Sequence, residues 1–305
     1  MIADKYKLIR LLGEGGAGKT YEAEKIATRQ RVAIKVITLR QVKDWKVIEL
    51  FAREANVLAN LEHPAIPRYI DYFYQDTPSD RYFYLVRELV SGDSLFDLVR
   101  RGWKPHEDEV KEIARQILDI LQYLHQQKPP VIHRDIKPQN LIKSESGKIV
   151  LVDFGSVTEA NRCTLISNST FVGTLGYMPP EQLRGIRDKL RLCIVCQSVL
   201  SQKSRIQKSR IQKVLNLISS FELQRMKLDF RDWVNISDRF ANWLAKIIEP
   251  IAEDRFQSVG EALSIAIILK SANVWEFGEY LLEDRLLQSK GLKGNQMIMK
   301  CGAII

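Results

Sequence analysis

VIHRDIKPQNLI, residues 131–142, gathers Asp135, Lys137 and Asn140 into one short stretch. Two more stretches follow: IVLVDFGSV at 149–157, which carries Asp153, and GTLGYMPPEQ at 173–182. Taken singly, Asp135 and Asp153 read as ordinary turn residues. At this spacing the two acids read instead as a functional pair. His133 is expected to be structural, packed under the loop rather than acting as a base.

Upstream, GEGGAGKT at 13–20 satisfies two phosphate-binding patterns at once. Gly13-x-Gly15-x-x-Gly18 is a glycine-rich lid; Gly13-x-x-x-x-Gly18-Lys19-Thr20 is a Walker A loop. Both use glycine because backbone amides must come close to phosphate. Context separates them. A Walker loop runs from a strand into a helix, whereas TYEAEKIATRQRVAIKVI reads as two strands and a turn. The second of these strands carries Val32-Ala33-Ile34-Lys35. A lysine in a buried strand needs a partner to offset its desolvation, and Glu54, on the helix predicted at 46–60, is the natural one.

Residues 6–40 read as hairpin-like strands. Residues 46–60 place Ile48, Phe51, Ala55 and Leu58 at helical spacing. IPRYIDYFYQ and RYFYLVREL, rich in aromatic and β-branched residues, read as strands again. After Ser91-Gly92-Asp93 the texture changes, and 107–127 forms a long amphipathic helix with Val110, Ile113, Ala114, Ile117, Leu121 and Leu124 on one face.

The glycine lid, VAIK, HRDIKPQN and DFG in this order resemble the eukaryotic-like bacterial serine/threonine protein kinases, most in look the cyanobacterial members. The resemblance covers residues 6 to about 185 and resumes from Phe221 to about 270. It implies an α+β, bilobal protein-kinase-like fold: a small β-rich N-lobe at 1–87, a hinge at 88–92 and a larger, mainly α-helical C-lobe at 93–270. It implies ATP and Mg2+ as cofactors and transfer of the γ-phosphate to Ser or Thr hydroxyls of protein substrates, with autophosphorylation in trans as a further expectation. By resemblance Asp135 takes or orients the hydroxyl proton, Lys137 steadies the transferring phosphate, and Thr174 contacts both. Asn140 and Asp153 are the magnesium ligands, and Lys35, oriented by Glu54, holds the α- and β-phosphates. Gly13, Glu14, Gly15, Gly16, Ala17 and Gly18 form the lid, Glu88 and Val90 meet adenine through their backbone, and Ala33 and Ile142 wall the base. Arg87 falls beside the adenine pocket, an unusual place for a charge. Arg134 is a possible clamp for a phosphate on Thr164, Ser167, Ser169 or Thr170, and Glu181 is expected to pair with Arg255.

One stretch departs from the family. The apolar helix expected soon after Glu181-Gln182, opened by an Asp that holds the HRD loop, has no counterpart. In its place 186–220 carries SQKSRIQKSRIQK at 201–213, a basic five-residue repeat. A shifted and later restored reading frame, or an insertion, explains it better than a basic docking element, since five-residue spacing keeps no single helical face. So many charges cannot fill a dry lobe centre. The large lobe is therefore expected to be destabilised or locally disordered between residues 186 and 220, and the alternative function is an impaired pseudokinase or nucleotide-binding signalling module.

Composition adds limits. The 305 residues carry 46 Lys and Arg against 37 Asp and Glu, a net charge of +9, part of which sits in the repeat. With no zinc-finger spacing and no aromatic RNA-binding signature, nucleic acid is not an expected partner. Cys193-x-x-Cys196 lacks the second pair a zinc site needs. With no apolar leader or span, the four cysteines read as free thiols in the cytoplasm. Residues 271–305 read as a C-terminal tail.

Overall fold

The computed structural model describes residues 2–15, 18–41, 45–159, 174, 177, 182, 230–231 and 234–270. Gly16, Ala17, the phosphate-acceptor candidates between 164 and 170, Glu181, the 186–220 stretch with its repeat, all four cysteines and the tail at 271–305 lie outside them.

The chain opens with strands β1 (Tyr6–Gly15), β2 (Gly18–Lys25) and β3 (Arg31–Thr38), crosses through helix α1 (Lys46–Ala59), and adds β4 (Tyr69–Asp76) and β5 (Arg81–Glu88). They form one antiparallel sheet in the order β1-β2-β3-β5-β4. Both faces of β3 are covered, which is why it reads as an almost continuous apolar run. Val32 and Ile34 join Tyr6, Ala23, Tyr84 and Val86 on one face. Ile37, Phe83 and Leu85 meet Phe51, Ala55 and Leu58 of α1 on the other. Successive strand residues alternate faces, so Ala33 and Lys35 share the α1 side with Ile37. The apolar stripe of α1 carries Glu54 in its midst, fully buried.

The turn joining β1 to β2 pairs Gly15 with Gly18. Gly18 has φ +110°, and a Cβ there would run into the Val36 carbonyl oxygen and the Ile37 side chain. Gly18→Ala is therefore expected to destabilise by about 1–3 kcal/mol from backbone strain alone, read as a lowered urea midpoint at unchanged m-value.

Beyond β5 come β6 (Asp93–Ser94), α2 (Leu95–Arg100), α3 (Glu107–Gln126), β7 (Val131–Ile132), β8 (Leu141–Lys143), β9 (Ile149–Leu151), β10 (Thr158–Glu159), α4 (Asp238–Ile247) and α5 (Val259–Lys270). The predicted helix at 107–127 thus ends one residue early. It buries all six expected face residues, together with Leu118 and Ile120. Three acids in its first turn, Glu107, Asp108 and Glu109, suit the positive end of the helix dipole. Glu107 also accepts from the amide and hydroxyl of Ser237, both at 2.6 Å. Ser237 in turn caps α4, so the starts of α3 and α4 are tied together. Trp243 Nε1 donates to the Ala262 carbonyl at 3.1 Å and links α4 to α5. One apolar cluster runs from the inner face of the sheet through α1 to α3, α4 and α5, and it includes Phe154. The result is the bilobal α+β arrangement expected from the sequence.

Candidate active site

Two short ladders bring the chemistry together. β7 pairs with β10, Ile132 opposite Thr158, and β8 pairs with β9, Leu141 opposite Leu151. The loop 133–140 between β7 and β8 must therefore lie beside the loop 152–157 between β9 and β10. The Val152 amide donates to the Asn140 carbonyl at 2.8 Å. Asp135 and Asp153, distant in sequence, become neighbours through strand pairing.

In the first loop Asp135 is 7% exposed. Lys137 Nζ donates to Asp135 Oδ2 and to Thr174 Oγ1, both at 2.7 Å, and the Thr174 hydroxyl donates to Asp135 Oδ1 at 2.8 Å. The three side chains close a triangle that fixes the carboxylate. Asn140 Nδ2 donates to the Asp135 carbonyl at 2.9 Å and to Oδ2 at 3.3 Å. This turns the Asn140 amide oxygen away from Asp135.

In the second group, Lys35 Nζ donates to Glu54 Oε2 at 2.7 Å and to Asp153 Oδ1 at 2.8 Å. Burial alone would lower the Lys35 pKa, but the carboxylates of Glu54 and Asp153 outweigh it and the net shift is upward. Burial would likewise raise the Asp153 pKa, but Lys35, with help from Arg87 and His133, holds it well below the usual carboxylate range. Gly155 packs close against this cluster: a Cβ there would lie 3.1 Å from Lys35 Nζ and 3.2 Å from Glu54 Oε2.

Arg134 and Asp153 both adopt φ +65°, uncommon for residues with a side chain. The loops hold each other in these conformations. Arg134 Nε donates to the Ser156 carbonyl at 2.6 Å and a terminal nitrogen to the Val157 carbonyl at 3.3 Å. Gln182 Nε2 donates to the Arg134 carbonyl at 2.9 Å. The guanidinium considered as a phosphate clamp thus lies against backbone carbonyls of the neighbouring loop. Gln182, which the sequence did not single out, holds the HRD loop by its backbone. The expected pairing of Arg255 with Glu181 involves a residue outside the described set, and Arg255 itself is buried.

His133 is 2% exposed, with its ring edge-on to Phe154 at 4.9 Å. Burial brings its pKa down from 6.5 to about 4, against the pull of Asp135 and Asp153. It is therefore neutral at pH 7, as a packed structural histidine should be. The folded value lies below the unfolded one, so the unfolded chain takes up the proton first as pH falls. The stability contributed by neutral His133 is complete above about pH 6.5 and is lost as pH falls towards 4. Thermal midpoints measured across that window should fall, and His133→Asn should show a shallower decline.

The remaining sequence candidates are spread over several elements. Gly13, Glu14, Gly15 and Gly18 form the β1–β2 hairpin, where Glu14 and Lys19 approach to 3.3 Å. Ala33 is buried on β3 and Ile142 half-buried on β8. Glu88 ends β5 with its amide donating to the Arg68 carbonyl at 2.9 Å, and Val90 stands half-buried two residues on. Among the described residues no hydrogen bond joins these positions to either carboxylate group. No cluster of three or more His, Cys, Asp or Glu side chains suited to a metal occurs among the described residues either. Magnesium does not require one, because it keeps several waters and takes one or two protein oxygens along with phosphate. Asp153 and the Asn140 amide oxygen supply that kind of donor set.

The profile of the protein kinase domain matches residues 6–265. The chain belongs to the protein kinase domain family. The match runs across 186–220, the stretch that departs from the motif pattern. Serine/threonine-protein kinase B of Synechocystis sp. is 35% identical over 278 residues, 85% of this chain and 46% of that protein. Serine/threonine-protein kinase F of the same organism is 30% identical, over 87% of this chain and 55% of its own length. PrkC of Bacillus subtilis is 33% identical over 60% of this chain and 28% of its length. This kinase domain therefore spans about half, or less, of the curated relatives it matches. No helix among its described residues is long and apolar enough to cross a membrane.

Proposed function

We propose that this kinase domain transfers the γ-phosphate of ATP to Ser and Thr hydroxyls of protein substrates. The observation that carries the proposal is the closed triangle of Asp135, Lys137 and Thr174 beside Asn140 and Asp153. Phosphoryl transfer asks for positioning and charge neutralisation more than for covalent help. Asp135, with both oxygens fixed, orients the acceptor hydroxyl and takes its proton as the new O–P bond forms. The bond from the γ-phosphorus to the β–γ bridging oxygen breaks, and ADP carries away that electron pair. Lys137 neutralises charge on the moving phosphoryl group. Lys35, kept cationic by Glu54 and Asp153, meets the α- and β-phosphates, and the β1–β2 glycine hairpin covers them. Glu88 and Val90 hold adenine through their backbone, between Ala33 and Ile142. Asp153 and the Asn140 amide oxygen would hold magnesium, which would supply charge neutralisation to the nucleotide phosphates.

The same reading extends to autophosphorylation in trans and to a cytoplasmic setting with protein substrates as partners. No observation favours the alternative of a nucleotide-binding module without turnover. The test is transfer from γ-labelled ATP with magnesium to a generic protein acceptor, followed by phosphoamino-acid analysis. Label is expected on Ser and Thr and not on Tyr. Thr174→Val removes the hydrogen bond to the Asp135 carboxyl group and should slow transfer about ten- to a hundredfold. Label confined to Tyr, or no slowing in the variant, would contradict the assignment.

A further inference from the structure

Behind the Lys35 cluster lies a second cation. Arg87 is 7% exposed, near the end of β5, and its Nη1 is buried without a hydrogen-bond partner. Strand parity places it. Phe83 and Leu85 of β5 face α1, and Arg87 follows them on that face. Arg87 stands opposite Ala33 and Lys35 opposite Leu85, so the two cations are diagonal neighbours on adjoining strands. One acceptor in this region is also unsatisfied: Oε1 of Glu54, fully buried, has no hydrogen-bond partner, while Oε2 takes Lys35. A buried donor and a buried acceptor, each uncommitted, therefore lie on the same inner side of the sheet.

Charge counting leads to the same pairing. Lys35 alone faces two carboxylates, the fully buried Glu54 and the part-exposed Asp153, which leaves a local charge of −1. Arg87 brings the sum to zero. An uncompensated buried charge is strongly destabilising, whereas a balanced set is tolerated.

We propose that Arg87 is a positioning residue, the second cation of a four-charge cluster with Lys35, Glu54 and Asp153, which secures Glu54 when Lys35 turns to an anionic ligand. The last clause rests on the proposed transfer reaction, while the cluster itself does not. In the full chain, Arg87→Met and Glu54→Gln each leave one charge unbalanced, of opposite sign, and the double variant restores neutrality. Each single variant is expected to lower the thermal midpoint by roughly 3 °C or more, and the double variant to melt above either single one. Arg87→Lys, which keeps the charge, should melt near the wild type. In transfer assays Arg87→Met should lower kcat about tenfold with KM for ATP within about twofold, and Arg87→Lys should recover most of the loss. Additive shifts in the double variant, an unchanged or raised midpoint in Arg87→Met, or a kcat insensitive to Arg87→Met would overturn the proposal. Absence of transfer in the wild type would fail the kinase reading alone, since the melting cycle still decides whether the cluster exists.

Discussion

Asp135→Asn is expected to reduce phosphoryl transfer by about 10²–10⁴-fold while leaving MgATP binding within a few-fold. The side chain keeps its size and much of its hydrogen bonding. What it loses is the carboxylate, whose Oδ1 Thr174 holds at 2.8 Å and whose Oδ2 Lys137 holds at 2.7 Å. The variant should stay folded, because Lys137 is part-exposed and water can solvate the ammonium released from its partner. The loss should therefore appear in kcat, with thermal stabilisation by MgATP retained. A variant that loses MgATP binding and transfer together would move Asp135 from chemistry to architecture.

Lys35→Met should damage both activity and stability. The Lys35 ammonium hydrogen-bonds Glu54, which is fully buried, and also bonds Asp153. Removing one partner of a buried ion pair costs about 3–5 kcal/mol, because the other charge is left without compensation. Raising the pH offers no rescue. Lowering it should narrow the gap, since protonation of the stranded carboxylates relieves the repulsion. The expected result is a midpoint depressed at pH 7 and closer to wild type at mildly acidic pH, with transfer and nucleotide binding both lost. A variant as stable as the wild type at pH 7 would mean that Glu54 and Asp153 are held by something other than Lys35.

How much of this was legible in the sequence depended on the kind of constraint involved. The partnership of Lys35 with Glu54 could be read because a buried strand lysine demands a carboxylate, and the apolar spacing of α1 presents one. The strands and the two long helices followed from periodicity, and their ends agree within a few residues. Long-range geometry was less visible. No local pattern announces that Asn140 spends its amide on Asp135, because that depends on the β7–β10 and β8–β9 pairings. The close packing of Gly155 on the Lys35 cluster is legible only as the invitation a glycine gives. Gln182 reaching the Arg134 carbonyl could not be foreseen from a stretch read for its Glu181. Arg87 stood out as an unusual charge beside the adenine pocket, but the uncommitted oxygen of Glu54 that gives it a purpose appears only in three dimensions. The expectations for Gly16, Ala17, the pairing of Glu181 and the 186–220 repeat fall outside the described residues and stand as sequence readings.

The most direct measurement is transfer of γ-labelled phosphate from MgATP by the full chain, run beside Asp135→Asn, with thermal stabilisation by MgATP recorded for both. The account predicts transfer by the wild type, loss of transfer in the variant, and stabilisation of both. Wild-type protein that MgATP stabilises but that transfers no more label than the variant would contradict it, as would equal transfer by the two.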